Sequence, residues 1–352
     1  MVETAGLENR YARKGIEGSN PSLSVPMPTL QRIRRIVAVV VGVILFLVVA
    51  VLGVAQLRWD RTFTVPPVPI AASRDPATVA RGRYLAYGPA HCVDCHVAPE
   101  QVARFDSGGE PPLSGGYLFA IPPGRFYAPN ITPDLATGIG RRTDAQLAQM
   151  IRYGVRADGR VALPFMDFKN LSDEDVTALI SFLRSQPPVL HPVPANDLSL
   201  LGKMVFAFMM KPQTPDSTPP ARTPAAGTLA SGAYLARVVT ECAGCHTQRS
   251  LTDGSYKSPM FAGGGVFSVD TDPNLELVTP NLTPDSATGR MAHWTEDQFV
   301  TRFRAGKSMP QSIMPWTAFQ RMTDADLRAI YQYLHALPPV SYDPGPSLRR
   351  KR

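Results

Sequence analysis

Two six-residue stretches, "HCVDCH" at 91–96 and "ECAGCH" at 241–246, hold all 4 cysteines of this 352-residue chain. Each is a Cys-x-x-Cys pair with a histidine directly after it. Three chemistries use such a pair: a thioredoxin-like dithiol, a zinc knuckle and covalent haem attachment. The dithiol needs no histidine and expects a βαβ context that the surrounding pattern lacks. Zinc needs four soft ligands at one point. Cys92, Cys95, Cys242 and Cys245 could supply them, but nearly 150 residues separate the pairs, and His96 and His246 stay unexplained. Haem explains all six residues. Two thiols on one helical turn reach the two vinyl groups at the ring edge, and the next residue aims its imidazole at the iron. Each motif therefore demands a helical turn beside a pocket for a flat ring, and the chain is expected to carry two covalently bound haem c groups.

The motifs belong to a longer repeat offset by about 150 residues. "GRYLAYGPAHCVDCH" matches "GAYLARVVTECAGCH", "PNITPDLATG" at 129–138 matches "PNLTPDSATG" at 280–289, and "LSDEDVTALISFLRSQPPV" matches "MTDADLRAIYQYLHALPPV". Two copies of one domain are expected, at 74–192 and 227–342. The linker at 193–226 includes the proline-rich "KPQTPDSTPPARTPAAG". Each copy reads as all-α, with almost no strand signal. A first helix carries Gly82, Tyr84 and Leu85, or Gly232, Tyr234 and Leu235. Gly115–Gly116 and Gly263–Gly265 mark a loop where backbone can approach a flat ligand. A middle helix starts at Thr143 or Thr295, each with a glutamine three residues on (Gln146, Gln298), the pattern of a capping box. The last helix starts at Ser172 or Thr323, carries apolar residues at helical spacing such as Val176, Leu179, Ile180 and Leu183, and stops before a Pro-Pro pair.

With a histidine on one face of each iron, the opposite face decides the chemistry. Methionine there saturates the iron and raises its potential, which suits electron transfer; a second histidine lowers it; an empty position admits peroxide or gases. Met314, in "SIMPWTAF", lies in the loop before the last helix of the second copy. The corresponding loop of the first copy, "ALPFMDF", puts Leu163 opposite Met314, with Met166 three residues later. Met314 and Met166 are the expected distal ligands, although a loop methionine is more often core filler. Met309 and Met322 are fallbacks in the second copy and Met150 in the first. His91, His191, His293 and His335 read as surface or polar-network residues, with His191 a remote ligand candidate.

"IVAVVVGVILFLVVAVLGVAQL", from Ile36 to Leu57, is uncharged throughout and about 33 Å long as a helix, the thickness of a bilayer core. Arg32, Arg34 and Arg35 precede it and Trp59 follows. The positive-inside bias puts a tail at 1–35 in the cytoplasm, an anchor at 36–57 in the membrane and the rest outside. A cleaved signal peptide is the alternative, with a small-x-small site at Gly53–Ala55; Met27 is an alternative start. Segment 198–210, "LSLLGKMVFAFMM", is too short to span and reads as a buried or interfacial helix between domains. The net charge of +7 divides into +3 in residues 1–35 and +4 in "RRKR" at 349–352, leaving the body neutral. Nucleic acid is therefore not an expected partner, and the basic tail at 343–352 reads as solvated and disordered.

Two Cys-x-x-Cys-His domains, each with "PN(I/L)TPD-x-x-TG", a methionine–aromatic loop and a "(S/T)D-x-D" final helix, resemble the cytochrome c subunits of bacterial membrane-bound alcohol, gluconate and aldehyde dehydrogenases. The resemblance covers about 74–342. It implies two tandem class I cytochrome c domains, haem held by Cys92, Cys95, Cys242 and Cys245, proximal ligands His96 and His246, and distal ligand Met314, with Met166 a looser match because its Met-Pro pair is broken. It implies an electron relay in which a periplasmic dehydrogenase is the donor and the quinone pool, an oxidase or a soluble cytochrome the acceptor. The expected location is the bacterial inner membrane, single pass, haem domains in the periplasm. Many members of that family carry three haems and a C-terminal membrane contact; this chain has two motifs and an N-terminal apolar segment. No base, nucleophile or phosphate loop stands out, so substrate chemistry is expected to belong to a partner. The alternatives are a dihaem peroxidase with one open haem, which the irregular Met166 loop favours, and a haem sensor, for which residues 1–35 are too short an output domain.

Overall fold

A computed structural model describes residues 29–250, 255–269 and 271–351. Most of the expected cytoplasmic tail, Met27 included, lies outside the described residues. α1 (Leu30–Arg58) is long and apolar enough to cross a membrane, and its only buried residue is Ala55. Packing divides the chain after Gly53: residues up to there form one unit, and residues from Val54 onward form the other.

The first repeat runs α2 (Pro76–Tyr87), α3 (Val93–His96), α4 (Val102–Asp106), β1 (Leu118–Ile121), β2 (Gly124–Tyr127), α5 (Asp144–Tyr153) and α6 (Asp173–Ser185). The connecting segment holds β3 (Asp197–Leu198) and α7 (Leu200–Phe208). The second repeat runs α8 (Leu229–Tyr234), α9 (Cys242–Cys245), β4 (Val266–Val269), β5 (Asp272–Val278), α10 (Glu296–Arg304), α11 (Trp316–Phe319), α12 (Asp324–His335) and β6 (Leu348–Arg350). Leu235–Val239 continues α8 as one wider turn.

The caps are as the sequence predicts. Thr143 and Gln146 close a capping box on α5, and Thr295 and Gln298 close one on α10. Ser172 and Thr323 accept from the third amide of α6 and α12. In each repeat the first helix crosses the last at a glycine. A Cβ on Gly82 would lie 1.8 Å from the Ala178 carbonyl oxygen, and one on Gly232 would lie 1.9 Å from that of Ala329. Only a residue without a side chain lets the two backbones meet. One apolar cluster then runs through both repeats, from Leu85, Val93, Leu171 and Ile180 to Val239, Phe261, Leu327 and Leu334.

Two expectations need correction. The body is not purely helical: helix makes up 39% and strand 10% of the described structure, α1 included, and among the described residues the strands form two antiparallel sheets ordered β1-β2-β3 and β4-β5-β6. These strands are two to seven residues long, too short and proline-flanked for alternation to show. Nor is the basic tail loose. Leu348 pairs with Leu277 and Arg349 with Glu276, and the Arg349 guanidinium binds the Glu276 carboxylate at 2.7 Å. An acidic partner strand, invisible in a count of tail charge, orders it.

The two repeats interlock reciprocally. The Tyr84 hydroxyl donates to Asp326 at 2.5 Å and accepts from the Thr323 amide, at the start of α12. The Tyr234 hydroxyl donates to Asp175 at 2.9 Å and accepts from the Ser172 amide, at the start of α6. Each first helix thus caps the last helix of the other repeat.

Candidate functional site

Each Cys-x-x-Cys-His stretch closes a short helical turn. The His96 amide donates to the Cys92 carbonyl at 2.9 Å, and the His246 amide to the Cys242 carbonyl at 2.8 Å. Both cysteines of a pair and the following histidine therefore sit on one turn. The residue before each pair has positive φ, 38° at His91 and 52° at Glu241, so the chain turns sharply into the motif.

Both imidazoles are oriented alike. His96 Nδ1 lies 2.9 Å from the Pro129 carbonyl oxygen, and His246 Nδ1 lies 3.0 Å from that of Pro280. A carbonyl only accepts, so Nδ1 must carry the proton, and Nε2 keeps its lone pair free for a metal. Burial lowers the pKa of both histidines, the neighbouring carbonyl opposing it, which keeps them neutral.

The prolines are held by the repeated "PN(I/L)TPD-x-x-TG" stretch. Asn130 Nδ2 donates to Thr137 Oγ1 and the Val189 carbonyl, and its Oδ1 accepts from the amide and hydroxyl of Thr132. Asp134 takes the amide and hydroxyl of Thr137. Asn281, Thr283, Asp285 and Thr288 repeat the pattern, with Val340 as the distant carbonyl. Asn130 and Asn281 are 2% and 0% exposed, so the two asparagines at the centre of the network are sealed from water. Gly115 and Gly263 close it from the other side. Their amides donate to the carbonyls of His96 and His246, their φ angles are 78° and 80°, and a Cβ on either would enter the backbone of Pro129 or Pro280. The loop glycines read from the sequence as ligand clearance serve first to let backbone close on the histidine support.

Met166 and Met314 are half-buried and pack against the core. The Met166 carbonyl accepts from Gln213 Nε2 at 3.1 Å. The Met314 amide and the Trp316 indole both donate to Ser312 Oγ, and the Arg302 guanidinium lies 3.8 Å from the Trp316 ring centre. Met322 is 1% exposed and fills the core position that Leu171 fills in the first repeat; it is packing. Phe165 turns away from its loop and stacks on Phe119 at 4.3 Å, leaving Phe168 as the buried ring there.

The residues fit haem better than its rivals. Among the described residues no three His, Cys, Asp or Glu gather as a metal cluster, so the two pairs do not build a shared zinc site. Burial pushes the thiols of Cys92 and Cys95 up to about 12 and that of Cys242 to about 11, where a redox dithiol needs the opposite shift.

The other histidines divide. His293 and His335 meet backbone carbonyls through Nε2, as polar-network residues do. His91 meets one too, that of Pro89 through Nδ1 at 3.3 Å, but its part-buried ring also packs edge-on between Phe168, at 6.4 Å, and Phe319 of the second repeat, at 5.6 Å. The sequence reading missed this because the burying ring comes from the other repeat. Glu241, at the equivalent position, is part-exposed as a residue, but its carboxyl oxygen Oε1 is buried. Desolvation and the charge of Asp167 raise its pKa to about 8, and its Oε1 has no hydrogen-bond partner.

Comparison with known proteins defines the class. Residues 231–338 match the cytochrome c family; this segment is a cytochrome c domain, and such a domain implies covalently bound haem c. The chain at large is similar to the cytochrome c subunit of a quinone-dependent alcohol dehydrogenase from Gluconacetobacter polyoxogenes, 32% identical over 77% of this chain and 60% of that one. It is 28% identical to a fructose dehydrogenase cytochrome subunit from Gluconobacter japonicus, over 78% of this chain and 55% of the relative. A dihaem c-type cytochrome from Cereibacter sphaeroides is 27% identical over 83% of this chain and 96% of its own length. The chain thus spans about 60% of the alcohol dehydrogenase subunit it matches.

Proposed function

We propose that the chain is a membrane-anchored dihaem c-type cytochrome. It would relay single electrons from a dehydrogenase to a respiratory acceptor such as the quinone pool, an oxidase or a soluble cytochrome. The observation that carries this reading is the doubled support of His96 and His246, each on the turn of its own Cys-x-x-Cys pair with Nδ1 committed to a proline carbonyl. The first repeat reproduces the hydrogen bonds of the second, and the second is the cytochrome c domain. In each repeat the haem would supply a one-electron redox centre. Cys92 and Cys95, or Cys242 and Cys245, would hold it as thioethers, and His96 or His246 would ligate from one side. Met314 and Met166 would close the other side, raising the potential and keeping exogenous ligands off.

The dehydrogenase subunits among the relatives support a dehydrogenase as donor. α1, with Arg32, Arg34 and Arg35 in its first turns ahead of the apolar stretch, supports a single-pass anchor with the body on the outer side of a bacterial inner membrane. An alkaline pyridine spectrum of the purified chain should give two haems per polypeptide, and His96→Ala or His246→Ala one well-formed haem each. One haem in the unmutated protein would overturn the dihaem reading.

The peroxidase reading rests on the first repeat's loop, where Phe165 leaves for the hairpin. Carbon monoxide decides between them. A relay with two methionine-closed haems binds none, whereas a peroxidase-like protein binds it at one haem before any mutation.

A further inference from the structure

α7 presents the wrong face to water. Its inner side is held by backbone and small residues. A Cβ on Gly202 would lie 1.9 Å from the Pro123 carbonyl oxygen, Ala207 is 1% exposed, and Phe206 stacks on Phe126 at 6.2 Å. The outer side shows Leu200, Leu201, Phe208 and Met209, 45–57% exposed. The helix contains no acid, and its one charged residue, Lys203, leaves that face. Lys203 donates to Gln56 at 2.9 Å and lies over the Trp59 ring at 5.7 Å, both at the end of α1. The Arg61 guanidinium donates to the Met210 carbonyl just past α7. The open apolar face therefore belongs to a helix locked to the last turn of an apolar span. In the chain beside these contacts are cationic Arg58, Arg61, Lys203 and Lys211 and acidic Asp60 and Asp197.

We propose that α7 is a second membrane contact: a short helix lying in the headgroup–acyl boundary of an anionic bilayer, its leucines and Phe208 in the acyl region and the flanking cations at the phosphates. The lipid is favoured over a protein partner because α7 is tied to the residues where α1 would leave the membrane, so lipid is what that face meets first. With α1 alone the body would hang from one point; with α7 seated it is held at two and its tilt is fixed. The inference rests on α1 crossing the membrane.

The test is a photocrosslinking series on the full chain in its native membrane, with p-benzoylphenylalanine replacing one residue at a time. All sites are exposed, so folding is not at stake: Leu45 in α1, Leu201 and Phe208 in α7, and Leu135, which is 64% exposed, as the control outside both elements. Lipid adducts at 45, 201 and 208 with none at 135, detected as mass increments on the tryptic peptides, are expected. Adducts at 45 but none at 201 and 208, or protein adducts at 201 and 208, would overturn the role of α7 and leave the anchor standing. No lipid adduct even at 45 would remove both.

Discussion

At the scale of single residues the structure explains conservative-looking positions that motif reading notices without a cause. Gly82 and Gly232 are the crossing points of the first and last helices, so Gly82→Ala or Gly232→Ala should destabilise the chain by at least about 2 kcal/mol, the range of a forced overpacking. Denaturant midpoints check this. Glu241 gives a pH effect of determined sign. Its pKa rises from 4.5 to about 8 on folding, so the folded chain holds a proton that the unfolded chain releases above about 4.5. Stability is then fully present below that pH and falls as pH rises toward 8, by at most about 1.4 kcal/mol per unit. Glu241→Gln should flatten the slope of unfolding free energy between pH 5 and 8 (roughly the span between the two values); an unchanged slope would show that the carboxyl is ionised throughout. Met166→Ala should open half of the haem to carbon monoxide and Met314→Ala the other half, read as a shifted Soret band on half the absorbance.

At the scale of elements, much was written in the sequence. The capping boxes at Thr143 and Thr295, the stops before the Pro-Pro pairs and the helical apolar spacing of the last helices are local signals, and local signals survive folding. The sheets and the ordered tail were not legible, because β6 exists only through a partner strand about 75 residues earlier in the chain and no run of its own residues alternates. For the same reason the reason for "PN(I/L)TPD" was hidden: its asparagine reaches carbonyls 59 residues on, at Val189 and Val340. Asn130→Ala should leave those buried groups unpaired, costing about 1–3 kcal/mol, and should free the Pro129 carbonyl to move away from His96. Calorimetry together with the near-infrared charge-transfer band of the first haem measures both. If β6 is a paired strand, the amides of Val278 and Lys351, which donate to Ser347 and Asn274, should exchange more slowly with solvent than the unbonded amides around them. Hydrogen-exchange mass spectrometry reports this directly.

At the scale of the whole molecule, the reciprocal tyrosines have the form of an isologous contact, in which a residue meets on its partner the site that its own counterpart meets in return. Tyr84→Phe combined with Tyr234→Phe should lower the unfolding midpoint without changing haem content. The fluorescence or absorbance transition of the double variant should separate into two, one per repeat, where the parent shows one. Such a contact is what a two-fold dimer of one-haem chains would make, and on the dihaem reading proposed above both partners are fused into one polypeptide. A symmetric dimer must give its two centres the same surroundings, since every change appears twice. Fusion removes that constraint. His91 and Glu241 occupy one position in the two copies, one a neutral ring between two phenylalanines and the other a buried carboxyl beside Asp167, and Met166 and Met314 sit in loops of different frame. The fused pair can therefore evolve an inside order, one centre easier to reduce than the other, and so acquire a direction that no symmetric ancestor could have had.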